Sequence, residues 1–428
     1  MSNKPRILYV SSASPLRGPG VIGLEHVKSL KAAGYNVDML TLYKEPSLPE
    51  VLYIKKESVF NRIRLRLKKR LFLRLPGQPH YFFYRKESNP PVPVRTVLSK
   101  IQKEYELVIV YFWQEMLSFK TVEAIYDKLN NPVVFFLCPD YSHMSGGCHF
   151  TCDCERYKIG CGKCPAIKSN KEGDFTRWNV KCRKRFYDKV KPVVFGNRYM
   201  SLFYRQSYLI NDARVFVYPP RFDTTQFKPL NKKKVRENFG IEHEDAFVIA
   251  FGCQRLSDPR KGMAYLIEAL SGLREKMTDT ESERIVLLVA GCDYEQLKDS
   301  LAFKSIGTGL LPIERLPEFY SAASVFVCPS VDDAGPSMVG QSIACGTPVI
   351  GFKMGAMLDA VLDKGTGYCA ELKDSKDLAN GLEHFYRMTK TEYDAVSKRC
   401  LSYAEDNAGL ERTIKIWMEL YEKYKAHK

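Results

Sequence analysis

From Ser324 to Phe352 the chain reads SVFVCPSVDDAGPSMVGQSIACGTPVIGF. An apolar run ends at Cys328, a loop of small and acidic residues follows, and a helical pattern starts near Pro336. Gly346 and Thr347 stop that pattern, and Val349 and Ile350 open a second apolar run. This is one β-loop-α-β unit with its loop on the strand's carboxyl end, where open α/β sheets bind ligands. The first-turn N–H groups of such a helix are unpaired and carry partial positive charge, so those of Ser337 and Met338, behind Pro336, would receive an anion. Asp333 falls at the helix mouth and Gln341 two turns along it. A plain strand–helix connection with Asp332 or Asp333 as the N-cap is the simpler reading of the same spacing.

The alternation recurs along the chain. Apolar strand patterns at 6–12, 37–43, 107–113, 133–138 and 192–196 alternate with helical ones, and a second series runs through 247–253, 285–291, 324–328 and 365–371. Among the helical patterns are Gln114 to Leu129 and Phe175 to Val190. Strand–helix alternation implies parallel sheets, and 428 residues suffice for two domains. The expected division is 1–229, with a cysteine-rich insert at 146–165, then 230–408, and a last helix at 409–428. No run of about 20 apolar residues suggests a membrane span. MSNKPRILYV enters a strand without the apolar region and cleavage site of a signal peptide, which places the chain in the cytoplasm.

Three loops at strand ends carry chemistry. SPLRGPG sets Gly18 and Gly20 where the first strand gives way to its helix; a turn alone would also want glycine there. CPDYSHMSGGC sets Asp140 just past a strand, with His143 close by. QRLSDPRKG offers Arg255, Arg260 and Lys261 in a glycine-ended loop. Arg binds phosphate in a forked geometry and Lys as a point charge, so this loop suits a diphosphate; a solvated basic loop is the plainer alternative.

Thirteen cysteines are present, five of them between 148 and 164. Cys148, Cys154, Cys161 and Cys164 end in C-x-x-C and are spaced to close a tetrahedron of thiolates around a structural Zn²⁺. Cys152 and His149 are spare and could exchange in, and disulfides are the alternative.

Charge is uneven. Residues 1–230 hold 39 Lys and Arg against 19 Asp and Glu, and the remainder holds 26 against 30. The stretch 53–75 carries nine basic residues and one acid. Its helical pattern gathers Arg62, Arg66 and Arg70 on one face, suited to an anionic membrane surface, though a solvated basic face reads the same way. A zinc knuckle with a basic arm also describes a nucleic-acid binder, but that leaves 251–262 and 328–352 unexplained, so no nucleic acid is expected.

The loops at 251–262, 328–352 and 148–165 resemble retaining glycosyltransferases of the GT-B family, family-four type, and among them the enzymes of bacterial capsule and exopolysaccharide assembly. The resemblance implies an α/β chain of two Rossmann-like parallel-sheet domains facing a central cleft. The N-terminal domain would take the acceptor and the C-terminal one a UDP- or GDP-linked sugar. Arg255 and Lys261 match the pair that holds the donor diphosphate, with Arg260 adjoining. Asp333 and Gln341 fall on the family's two glutamates, so the second carboxylate is replaced by an amide. Thr308 and Gly309 would lie against the base, and Gly335, Pro336, Ser337 and Met338 beside the diphosphate. Asp140 matches the aspartate of a His-Asp pair whose histidine is here Pro139. The four cysteines match those of the capsule subgroup. A hexosyl transfer with retained configuration is implied, with no catalytic metal because two cations and a helix end face the diphosphate. The implied acceptor is a polyprenyl-diphosphate-linked saccharide, with the protein peripheral at the inner face of the plasma membrane. An inactive relative acting as a scaffold is the alternative that the two departures suggest.

Overall fold

The computed structural model describes residues 4–14, 19–44, 48, 51–54, 87–243 and 245–426. Gly18 and most of the basic stretch 53–75 lie outside the described residues. The chain divides into two compact units. Unit 1 comprises Met1–Gly196, Met200–Tyr218 and Leu410–Lys428; unit 2 comprises Asn197–Tyr199 and Pro219–Gly409.

Unit 1 holds seven parallel strands: β1 (Ile7–Ser11), β2 (Val37–Thr41), β3 (Val51–Tyr53), β4 (Leu107–Phe112), β5 (Val133–Leu137), β6 (Val193–Gly196) and β7 (Val215–Val217). Their order is β3-β2-β1-β4-β5-β6-β7. A parallel sheet is covered on both faces, so its central strands are apolar without alternation. VVFFL of β5 shows why: all five residues are buried. Phe135 turns to one face, against Phe195 at 5.2 Å between ring centroids. Phe136 turns to the other, against Phe119 at 5.7 Å and Phe186 at 5.7 Å, which come from the helices Phe119–Lys128 and Phe175–Val190. The first face is closed by the helix Glu411–Lys425, whose Trp417 and Tyr421 are buried in the cluster that holds Phe135 and Phe195.

The helical pattern from Gln114 does not become helix until Phe119. Ser118 and Thr121 form a reciprocal capping box that fixes the start, and residues 113–117 form a turn instead, with Leu117 N–H donating to Trp113 at 2.8 Å.

Unit 2 holds six parallel strands: β8 (Phe247–Arg255), β9 (Ile285–Cys292), β10 (Lys304–Gly309), β11 (Val325–Cys328), β12 (Val349–Phe352) and β13 (Gly367–Ala370), in the order β10-β9-β8-β11-β12-β13. Strand order reverses between β8 and β11. The reversal splays the two following loops apart and leaves a crevice at the carboxyl ends of these strands.

Candidate functional site

The unit 2 crevice is a pocket of about 380 Å³. Arg255, Arg260 and Lys261 line it from the loop after β8, and Pro336, Ser337 and Met338 from the loop after β11. The two loops are tied together. Val331 N–H donates to the Arg260 carbonyl at 2.8 Å, and Arg260 Nη1 donates to the Asp332 carbonyl at 3.2 Å. Gly262 stands at φ +71°, and a Cβ there would meet the Pro329 carbonyl oxygen at 1.7 Å, so only glycine lets the loops approach this closely.

Within the loop after β8 the three cations differ. Arg260 is held by Asp258, its Nη2 2.8 Å from Oδ2. Lys261 Nζ is ion-paired with Asp333 Oδ2. Burial pushes the Lys261 pKa down, but the Asp333 charge and hydrogen bond outweigh it and hold the pKa above its ordinary value. Arg255, at the exposed end of β8, faces the pocket. The other Asp333 oxygen, Oδ1, accepts the Gly335 N–H at 3.1 Å.

The helix Ser337–Ala344 begins behind Pro336 with no side chain capping it. Neither Asp332 nor Asp333 takes the N-cap place; the Val339 N–H donates to the Pro336 carbonyl at 3.2 Å, and Ser337 and Met338 of the same turn line the pocket. Gln341 is fixed by a residue that sequence reading missed: Tyr320 OH donates to its Oε1 at 2.8 Å. That leaves the amide nitrogen as the group Gln341 can offer. Asp333, Gly335 and Gln341 are not pocket-lining residues, and neither are Thr308 and Gly309. The last two end β10, the outer strand, with Thr308 Oγ1 donating to the Val289 carbonyl at 3.3 Å.

Unit 1 reverses strand order between β1 and β4. Gly20 lies in the first turn of the helix Pro19–Ala32, where a Cβ would stand 1.7 Å from the Ser14 carbonyl oxygen. Close packing of the turn therefore demands glycine here. Asp140, just past β5, is fully buried. Its Oδ1 accepts the Ser142 N–H at 2.7 Å, and its Oδ2 accepts Gln114 Nε2 at 3.0 Å. His149 Nδ1 lies 2.8 Å from the same Oδ2. Burial pushes this carboxyl up, but the neighbouring His149, then His143 and the Ser142 contact outweigh it and hold its pKa below the ordinary value.

His143 is a core residue and faces no opening: it is 0 % exposed, against Phe136 at 4.9 Å and Trp113 at 5.9 Å. Burial, with Arg183 nearby, drives its pKa down to about 4, so the ring is neutral. Arg183 organises the whole turn. It is buried, paired with Glu87 at 2.6 Å, and donates through Nη1 to the Ser142 carbonyl at 2.6 Å.

In the insert, Cys148, Cys154, Cys161 and Cys164 line one cavity of about 20 Å³ together with Arg156 and Thr176. No group of three or more His, Cys, Asp or Glu among the described residues is placed to hold a metal ion, and none of the thirteen cysteines is in a disulfide. Backbone N–H groups nevertheless point at two of the sulfurs. Gly146 donates to Cys161 Sγ at 3.3 Å, and Ala166 and Ile167 donate to Cys164. Burial, opposed by these donors, pushes the Cys161 and Cys164 thiols up to about 11.

Residues 231–399 match the family model described as glycosyl transferases group 1. The matched span contains the whole unit 2 pocket. Both units have the GT-B glycosyltransferase fold. Sucrose-phosphate synthase from Thermosynechococcus elongatus superposes with a TM-score of 0.67 over 99% of this chain and 100% of that one, at 17% identity. HepE of Anabaena, in complex with UDP and glucose, gives 0.62 over 97% and 99%, at 16% identity. Among curated relatives, the D-inositol 3-phosphate glycosyltransferase of Paenarthrobacter aurescens (strain TC1) is 28% identical over 216 residues, which is 49% of this chain and 51% of the relative. That of Geodermatophilus obscurus is 30% identical over 186 residues, 40% of each. The chain thus spans about half the length, or less, of the curated relatives it matches. None of the described helices in this GT-B chain is long and apolar enough to cross a membrane.

Proposed function

We propose that the protein is a retaining glycosyltransferase that moves a hexosyl group from a UDP- or GDP-linked sugar to a saccharide acceptor. The observation that carries this reading is the single pocket at the β8/β11 reversal. Arg255, Lys261 and the uncapped helix start at Ser337 and Met338 line it together. That combination is suited to a diphosphate, because cations and oriented N–H groups stabilise the charge that grows as the leaving group departs. The bond from the sugar's anomeric carbon to the diphosphate oxygen breaks, and the acceptor oxygen bonds on the same face. The acceptor's proton passes to the departing diphosphate. Asp333 holds the sugar hydroxyls once Lys261 turns to phosphate, Gln341 donates to a ribose oxygen through its amide nitrogen, and Thr308 and Gly309 border the base.

The acceptor we propose is a polyprenyl-diphosphate-linked saccharide of surface-polysaccharide assembly, met at an anionic membrane surface by the basic stretch 53–75. The named acceptor of the curated relatives, D-inositol 3-phosphate, is the competing candidate. The insert is proposed to hold a structural Zn²⁺. The sulfur-directed N–H groups of Gly146, Ala166 and Ile167 are what thiolate ligands require, and a cation would lower thiol pKa values that burial and the neighbouring cysteines raise. Metal analysis of the purified chain should find about one zinc per chain, with Cys161→Ser lowering it; a stable chain without metal would remove zinc from the account.

Release of nucleotide diphosphate from a panel of UDP and GDP sugars, with and without the two acceptors, tests the activity. The parent should turn over at least one donor and Lys261→Ala should not. A parent inactive on every donor would end the enzyme reading.

A further inference from the structure

A second cavity lies wholly within unit 1. It measures about 550 Å³, against about 380 Å³ for the unit 2 pocket. Lys191 and Pro192 lead from it into β6, and Asn211 and Arg214 into β7, so it sits at the amino ends of these strands. The helix Phe175–Val190 supplies Lys184, Tyr187 and Asp188 from its last turns. Gly20 and Asp140 follow the carboxyl ends of β1 and β5, where parallel sheets place their chemistry. The cavity is therefore at the opposite end of the sheet.

Tyr187, Leu209 and Ile210 are buried and give the cavity an apolar floor. Tyr208, beside them, keeps a side chain 49 % exposed. Lys184, Lys191 and Arg214 line it against the one acid Asp188, a net of two positive charges. Asp188 is ion-paired with Lys184. Asp212, two residues before Arg214, is paired with Arg205. Among the described residues no acid pairs with Lys191 or Arg214.

Arg214 is held in advance of any ligand. Its guanidinium lies 4.2 Å from the centroid of the Tyr424 ring, and its Nη1 donates to the Lys191 carbonyl at 2.6 Å. Tyr424 OH donates in turn to the Ala213 carbonyl at 3.3 Å. Closing the end of the helix Phe175–Val190 accounts for one of the five guanidinium N–H groups. It leaves the other donors, the Lys191 ammonium and the bared Tyr208 ring without a purpose.

We propose that this cavity binds a phosphorylated sugar, free or as the headgroup of a lipid. A phosphomonoester carries about 1.5–2 negative charges at pH 7, which matches the two uncompensated cations. Arg214 takes its oxygens in a fork and Lys191 as a point charge. Tyr208 offers an apolar face to the sugar ring. Few placed polar groups over an apolar floor is the usual make-up of a small-molecule site. The proposal goes beyond glycosyl transfer and stands or falls separately from it.

Calorimetric titration of glucose 6-phosphate into the whole chain, with excess UDP present to fill the unit 2 pocket, tests it. One molecule should bind per chain, about 5-fold more tightly than inorganic phosphate. Lys261→Ala should match the parent, which keeps any unit 2 contribution apart. Lys191→Gln should bind about 10-fold more weakly, and Tyr208→Ser should lose the preference over inorganic phosphate. Both residues are exposed, so these two variants should melt like the parent and keep the test decisive even if Arg214→Gln misfolds. Phosphatidylcholine vesicles carrying phosphatidylinositol 4-phosphate, compared with phosphatidylserine vesicles of equal charge, separate the sources. A preference for the former that Lys191→Gln removes assigns a lipid headgroup; equal sedimentation assigns the free sugar phosphate. No binding of either form by the parent, unchanged affinity in Lys191→Gln, or inorganic phosphate bound as tightly as the sugar phosphate overturns the proposal.

Discussion

Lys261 and Asp333 come from loops that follow two different strands, β8 and β11, and their side chains form an ion pair behind the unit 2 pocket that Lys261 lines. The pair locks the two loops in register and keeps a cation beside an uncapped helix start. Because Lys261 is only 26 % exposed and Asp333 12 %, neither charge is cheaply abandoned. Lys261→Met should destabilise unit 2 by about 1–2 kcal/mol and weaken UDP binding by about 10- to 100-fold. Adding Asp333→Asn should recover part of the stability and none of the binding. Thermal melts and calorimetric titration of the four proteins separate the two effects.

Gly262 allows the same two loops to meet. Ala at this position would need φ +71° and would place a methyl group 1.7 Å from the Pro329 carbonyl oxygen. Strain at positive φ alone costs about 1–2 kcal/mol, and the clash forces the loops apart. Gly262→Ala should lower the melting temperature and abolish UDP binding even though every cation is retained.

The Glu87–Arg183 pair lies wholly inside unit 1, with side chains 5 % and 3 % exposed. Glu87 also accepts the Phe119 N–H at 2.9 Å, and its own N–H donates to Asn179 Oδ1 at 3.2 Å. Removing one member strands the other charge, which costs about 3–5 kcal/mol. Arg183→Met should therefore destabilise unit 1 by that order in a denaturant melt, whereas an exposed pair such as Lys184–Asp188 should be near neutral when broken.

His143 links stability to pH. Its folded pKa is depressed from 6.5 to about 4, so between those values the unfolded chain binds a proton that the folded chain refuses. The stabilisation is complete above pH 6.5 and lost as pH falls toward 4, amounting to on the order of 3 kcal/mol. His143→Leu should flatten the dependence of the unfolding free energy on pH in this window. An unchanged slope would show that other groups produce it.

The strands were readable because each is a continuous apolar run, as SVFVC before β11's end and VVFFL in β5 illustrate; burial on both faces leaves no other composition open to them. β10 escaped because it is an outer strand of sequence KSIGTG, part exposed and without an apolar run. β3 escaped because three half-buried residues carry no period. The resemblance implied that Arg255, Lys261 and Ser337 share a site, and the three line one pocket because strand-end loops converge at a reversal of strand order. What spacing could not reach was the partner of each polar group. Arg183 meets Glu87 across 96 residues, and His149 meets Asp140 only because an irregular insert folds back. The order of charges along the chain says nothing of such closures.

Calorimetric titration of UDP and GDP into the whole chain, repeated on Arg255→Ala and Lys261→Ala, examines the diphosphate grip most directly. One nucleotide should bind the parent, and each variant should bind it about 10- to 100-fold more weakly while still unfolding in one cooperative transition. Equal affinity in parent and variants, or no binding of either nucleotide to the parent, would contradict the assignment of this pocket to a nucleotide-diphosphate sugar.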